Sequence, residues 1–300
     1  MGVILNTLIP VLLIIPLGYI LKKVGIFKTD DTNILNKIII NLLLPAVLFG
    51  AFLQLELKKE LLLLPLSGFI IILSLFLISI IIGKIFGWSK KLRGAFTIIF
   101  SSMEGGLIAY PLFFILFEQE GLATIALWDI ANTIIVFTLL YFWACKYGGL
   151  REVQMKDAIM KVLTCPIPIA MFLGLLFNML NINFIFLNNL ISYFSAATPA
   201  IIMLTLGIAM EPSFKAMKIP VMTIVLKTII GGILGILVSN IFNFTDLWRL
   251  VTIVAATLPA PAVIYVFASE QELNKKFVAN YLSLALPIGV IVASIILVFF

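Results

Sequence analysis

The stretch Ser101-Ser102-Met103-Glu104-Gly105-Gly106-Leu107-Ile108-Ala109-Tyr110-Pro111 lies inside an apolar run from Gly94 to Phe117, long enough to span a bilayer. Gly105 and Gly106 weaken a helix through backbone entropy, and Pro111 removes a hydrogen-bond donor. A carboxylate, Glu104, stands beside the weak point. An acidic side chain in hydrocarbon costs about 2.5–3.5 kcal/mol on insertion scales, so it should face a cavity or a partner. Interrupted helices persist in membranes only where the freed amides and carbonyls line water, ligand or protein. Broken backbone with a carboxylate at mid-depth is how secondary transporters build a substrate site.

The rest of the chain is equally apolar. Of its 300 residues 63% are hydrophobic and 11% charged, and the mean hydropathy is +1.22, which excludes a soluble domain. The net charge of +6 comes from basic residues dispersed among loops, so nucleic acid is not an expected partner. Histidine is absent, which removes imidazole acid–base chemistry and His-ligated metal and leaves proton handling to carboxylates. The two cysteines, Cys145 and Cys165, suggest neither a disulfide nor a metal site. The apolar run 3–21 lacks a basic leader and is too long for a signal-peptide core, so it reads as the first span.

Apolar runs predict spans near 3–21, 34–53, 61–86, 94–117, 123–145, 159–179, 186–209, 216–241, 248–269 and 277–299. Odd-numbered loops carry Lys22, Lys23, Lys28, Lys37, Lys84, Lys90, Lys91, Arg93, Lys146, Arg151, Lys156, Lys161, Lys215, Lys218, Lys275 and Lys276, sixteen of the 20 basic residues. By the positive-inside rule those loops are cytoplasmic and both termini lie outside. Trp88 and Trp143 then fall near cytoplasmic ends, and Trp128 and Trp248 near outer ends, as interfacial belts.

Ten spans divide into two halves of five, 1–145 and 159–300, joined by a short cytoplasmic loop, 146–158. Asn36 to Leu44-Pro45-Ala46 matches Asn189 to Thr198-Pro199-Ala200. Arg93 precedes the Glu104-Gly105-Gly106 break as Arg249 precedes Thr257-Leu258-Pro259-Ala260-Pro261. Phe117-Glu118-Gln119-Glu120 and Ser269-Glu270-Gln271-Glu272 close the two helices. Five is odd, so the second half enters the membrane inverted. The predicted architecture is an all-α integral membrane protein of ten transmembrane helices, a 5+5 inverted repeat whose broken fourth and ninth helices cross.

Glu104 reads either as a proton- or substrate-binding carboxylate at that crossing or as a structural cap for freed amides. Gly105, Gly106 and Pro111, with Pro259 and Pro261, read either as an unwound anion site at half-helix N-termini or as a pair of kinks. Asp129 and Asn132 share a helix face. Asp129 is a candidate for ion coupling or an interfacial acid. Lys227, mid-way along the eighth span, is a counter-ion for Glu104 or Asp129, or a snorkelling lysine. Asn41 and Thr198, with Pro45, Pro199 and Thr205, read either as secondary candidates for the substrate site or as polar residues that pack helices together, and Thr257 beside Pro259 is a substrate-site candidate. No metal site and no catalytic set emerge. An aspartyl protease needs two facing intramembrane acids of its kind, and a mid-depth crossing suits an occluded site better than an open pore.

Several of these stretches resemble the auxin efflux carrier family, which includes bacterial malate and malonate permeases and is akin to bile-acid/sodium symporters. The similarity runs through Leu8-Ile9-Pro10, Gly18-Tyr19, Gly25-Ile26-Phe27, Asn41-Leu42-Leu43-Leu44-Pro45-Ala46, Gly106, Pro111, Pro259 and Pro261. Glu104 stands where the family usually has Asn, and Ala109 replaces a second Gly. The resemblance implies a scaffold of helices 1, 2, 6 and 7, a transport domain of helices 3–5 and 8–10, and substrate at the crossing. The expected function is secondary active transport of a small organic solute, a carboxylate, by alternating access. The coupling ion is H+ in preference to Na+, with no other cofactor. The alternative is a carrier of a cationic or zwitterionic solute with Glu104 as counter-charge. A cell-membrane homodimer in the lipid bilayer is expected.

Overall fold

The computed structural model describes residues 9–148, 164–182, 184–210 and 217–299. Among these the chain is helical, without strands. The helices are α1 (Ile14–Lys23), α2 (Thr29–Leu53), α3 (Leu63–Ile85), α4 (Lys90–Phe100), α5 (Tyr110–Ile135) and α6 (Tyr141–Gly148). Then come α7 (Pro166–Met179), α8 (Ile185–Ala209), α9 (Lys218–Ile241), α10 (Asp246–Thr257), α11 (Val263–Glu270) and α12 (Lys275–Phe299). Six helical stretches among the described residues are long and apolar enough to cross a membrane. The basic residues Arg151, Lys156, Lys161 and Lys215, and most of the 146–158 loop, lie outside the described residues.

The exposed surface is apolar in stripes. On α9, Val221, Val225, Ile229, Ile233, Leu237 and Ile241 recur every fourth residue and are all exposed. Thr223, Lys227, Gly231, Gly235 and Ser239 occupy the buried face of the same helix. α3 has a like outward stripe of Leu66, Ile70, Leu73, Leu77, Ile81 and Ile85, and it buries Ser67, Gly68, Ser79 and Gly83 alongside Leu64, Ile71, Ile72, Leu75 and Phe76. Apolar out and small or polar in is the pattern of helices solvated by lipid, where close backbone packing replaces the hydrophobic effect between helices.

Small residues set the closest contacts. A Cβ on Gly18 of α1 would lie 2.5 Å from the Leu204 carbonyl of α8, and one on Gly207 would lie 2.0 Å from the Ile15 carbonyl. α2 packs most closely on α7, α9 on α10, and α3 on α5.

Two helices contain π turns placed alike. Ile39–Leu43 in α2 is followed by Leu44-Pro45, and Gly105–Ala109 by Tyr110-Pro111. A proline cannot donate to the carbonyl four residues back, and the wider turn re-registers the ladder just ahead of it. Pro111 therefore lies inside a helix that already begins at Gly105, with the π turn taking up its missing N–H, and does not unwind it. The chain breaks again at Glu118 (φ 50°, ψ −136°), dividing α5 into two helices, 110–117 and 119–135. Trp128 is not an interfacial residue. It is fully buried, packed on Gly68, because the small face of α3 admits its ring.

Candidate transport site at the crossing of two broken helices

Two non-helical segments meet in the interior. The first, Ser101–Glu104, separates α4 from the π turn that leads into α5. The second, 258–262, separates α10 from α11. They are joined directly, for the Glu104 N–H donates to the Pro259 carbonyl over 2.7 Å. The unwound stretch lies ahead of Gly105 and Gly106, since Ser101 and Ser102 turn their hydroxyls back onto the Thr97 and Ile98 carbonyls (2.8 and 2.7 Å) and end α4 there.

The Glu104 carboxylate is shared between the two half-helices. Oε1 accepts from the Leu107 N–H (3.0 Å) at the start of one, and Oε2 accepts from the Ala262 N–H (3.3 Å) at the start of the other. Helix N-termini carry free N–H groups and partial positive charge, so a carboxylate is the natural occupant. Glu104 is 5% exposed. The cap expected as one of its two readings is present, and it spans both breaks.

Asp129 is interior, not interfacial. Its Oδ2 accepts from Tyr110 Oη (2.6 Å) and its Oδ1 from Asn132 Nδ2 (2.7 Å). Asn132 also clamps the unwound strand, with Oδ1 accepting from the Met103 N–H and Nδ2 donating to the Met103 carbonyl, both at 3.0 Å. Gly105 lies against this carboxylate. The shared face of Asp129 and Asn132 thus becomes one polar network with Tyr110 and Met103. Tyr110 had no signal of its own in the sequence beyond its place next to Pro111.

Lys227 pairs with neither carboxylate. Its ammonium donates to the Ile99 carbonyl (3.0 Å) and to the Ser102 carbonyl at the C-terminal end of α4. Among the described residues the ion pairs run between Lys58 and Glu56 and between Lys91 and Glu272, both on the surface. The counter-ion reading fails because the carbonyls freed by the break are closer partners than the carboxylates.

Thr257 is buried, with its hydroxyl on the Val254 carbonyl (2.8 Å), and lines a small cavity with Lys227, Pro259, Tyr281 and Gly289. Pro259 fits only because residue 289 is glycine; a Cβ there would lie 2.5 Å from the proline ring. Tyr281, also missed in the sequence, accepts from the Ala260 N–H (3.4 Å). Pro261 begins the turn into α11, accepting from the Ile264 N–H (3.0 Å). Gly106 is half-buried, between Glu104 and Leu44 of α2. Asn41 and Thr198 do not join these residues. Asn41 is exposed and donates to the Lys37 carbonyl (2.8 Å), while Thr198 donates to the Phe194 carbonyl (2.7 Å) ahead of Pro199, within α8. Among the described residues no group of three or more Cys, Asp or Glu side chains gathers to hold a metal.

The family of membrane transport proteins matches residues 3–161, more than half of the chain. The chain belongs to this family. It is the auxin efflux carrier family of the sequence resemblance. The transporter is also similar along nearly its whole length to two archaeal proteins. An uncharacterized transporter of Methanothermobacter thermautotrophicus is 26% identical over 92% of this chain and 91% of its own. An uncharacterized transporter of Methanocaldococcus jannaschii is 24% identical over 97% of each. Family and relatives are transporters, not enzymes.

Proposed function

We propose that this multi-pass membrane transporter is a secondary active carrier of a small organic carboxylate, working by alternating access with the substrate at the crossing. The observation that carries the reading is Glu104, whose two oxygens hold one N–H from each half-helix start. Those amides form an anion cradle, and the chain's own carboxylate occupies it. Protonation of Glu104 would release the amides to a substrate carboxylate, so that one proton travels with each anion, in preference to Na+. Asp129, buried beside the same break, is the second candidate for proton binding.

The same reading takes the chain as ten spans in two inverted halves, with odd loops cytoplasmic, both termini outside, and a homodimer in the cell membrane. A scaffold of spans 1, 2, 6 and 7 is supported by the tight packing of α1 on α8 and of α2 on α7. A transport domain of spans 3–5 and 8–10 is supported by that of α3 on α5 and of α9 on α10. The matched apolar stripes of α3 and α9, the third and eighth spans, fit the repeat.

A second reading has its own observation. With both amides already taken, an ionised Glu104 makes no ion pair among the described residues, which suits a cationic or zwitterionic solute. The test begins with a thermal-shift screen of organic acids, amines and amino acids, because a ligand stabilises the state that binds it. The ligand found is then followed in proteoliposomes with Glu104→Gln. A proton-coupled anion carrier keeps exchange and loses accumulation against a gradient. A cation carrier loses binding. Unaltered accumulation and pH profile in Glu104→Gln would reject both.

A further inference from the structure

Lys227 is 1% exposed, on the face of α9 opposite its lipid stripe. It takes no part in the mechanism above. The terminal carbonyls of α4 are nevertheless divided with care. Thr97 and Ile98 receive the serine hydroxyls, and Met103 receives Asn132. Two more, Ile99, which also faces the Ser102 hydroxyl at 3.5 Å, and Ser102, converge on the Lys227 ammonium.

Convergent carbonyl oxygens at a helix C-terminus, where the dipole is negative, make a place for a hard monovalent cation. Here a tethered cation fills it. The adjoining cavity has room for about one water, and the Thr257 hydroxyl and the phenol of Tyr281 are on residues that line it. Removing the lysine stem would therefore join that space to the Ile99 and Ser102 carbonyls, so that their oxygens, with the hydroxyls of Thr228, Thr257 and Tyr281 on the lining, stand around an opening otherwise walled by Ile224, Ala285 and Ile288.

We propose that Lys227 is a built-in cation that occupies a monovalent-cation site at the break, so that the native chain binds no Na+ there, while truncation at 227 creates a Na+ site. Lys227 acts through the Ile99 and Ser102 carbonyls and is a positioning residue for the unwound strand. The proposal concerns cation occupancy and stands whichever solute the crossing carries.

Thermal unfolding of purified wild type, Lys227→Ala, Lys227→Ser and Lys227→Met is compared in sodium, lithium and choline chloride at equal ionic strength. Wild type should unfold at the same temperature in all three salts. Lys227→Ala or Lys227→Ser should lose several degrees in choline and recover at least half of that loss in sodium. Lys227→Met, which fills the space without charge or donors, should remain low in every salt. Equal losses in sodium and choline for both truncations would overturn the proposal, as would stabilisation of wild type, or binding of radioactive sodium to it. Failure of both truncations to fold in cells grown in high sodium, while Lys227→Met folds, would also count against it.

Discussion

Asp129 Oδ2 lies 2.7 Å from the position that a Cβ on Gly105 would take, whereas the nearest atoms to a Cβ on Gly106 are 3.6 Å away. Adjacent glycines in one break therefore do different work. The first admits a carboxylate against bare backbone. The second leaves room beside Glu104.

Gly105→Ala is expected to push Asp129 off Tyr110 and Asn132 and to lower the unfolding temperature by several degrees, with loss of transport. Gly106→Ala should fold and unfold like wild type, because 3.6 Å is ordinary van der Waals contact. Gly106→Leu should remain folded but lose transport, since the larger side chain fills the gap between Glu104 and Leu44. Thermal unfolding in detergent and uptake by proteoliposomes measure the three.

Asn132 satisfies both backbone groups of Met103. Asn132→Ala should leave a buried N–H and a buried carbonyl unpaired, at about 1–3 kcal/mol each. Asn132→Asp should fail as badly, because it cannot donate to the Met103 carbonyl and puts a second carboxylate next to Asp129. A fall in unfolding temperature of similar size in both variants is the expected outcome, and a near-native Asn132→Asp would show that the donor is dispensable.

Gly231 and Gly232 offer a second contrast between neighbours. A Cβ on Gly231 would stand 2.0 Å from the Ala256 carbonyl, at the end of α10, while one on Gly232 meets only a Thr257 methyl at 3.5 Å. Gly231→Ala should therefore separate α9 from α10 and yield little monodisperse protein in size-exclusion chromatography. Gly232→Ala should elute as wild type.

Loop charge predicts sidedness. In a cysteine-free background, Gln54→Cys and Asn181→Cys, both at exposed positions, should react with an impermeant thiol reagent from outside intact cells, and Lys91→Cys should not. Labelling at 91 in intact cells would reverse the orientation.

Hydropathy reached the helices because lipid-facing stripes such as Val221 to Ile241 need no partner to explain them. It also found both breaks, since Gly105-Gly106 and Pro259/Pro261 are local signals. It misjudged where the first break begins, because the Ser101 and Ser102 hydroxyls that end α4 are ordinary residues in sequence. Asp129 and Asn132 on one face were legible from their spacing. Their junction with Tyr110 and Met103 was not, because it depends on how α5 folds back past Glu118. Lys227 was visible as an intramembrane charge. Its carbonyl partners lie 128 and 125 residues away, and only tertiary packing brings them together. Trp128 was misread for the same reason: the pocket that buries it belongs to α3.

Gly18 and Gly207 bring α1 and α8 backbone to backbone, with no side chain between them to act as a bearing. The two helices are thereby welded into a single beam, unable to slide or twist past each other without carbonyls colliding. In the proposed alternating-access cycle, movement of the crossing would then take place at other contacts, such as the one where Gly106 faces Leu44. Spectroscopic rulers attached to α1 and α8 should therefore read one fixed length through the whole cycle, and so supply the stationary frame against which displacement of the crossing is measured.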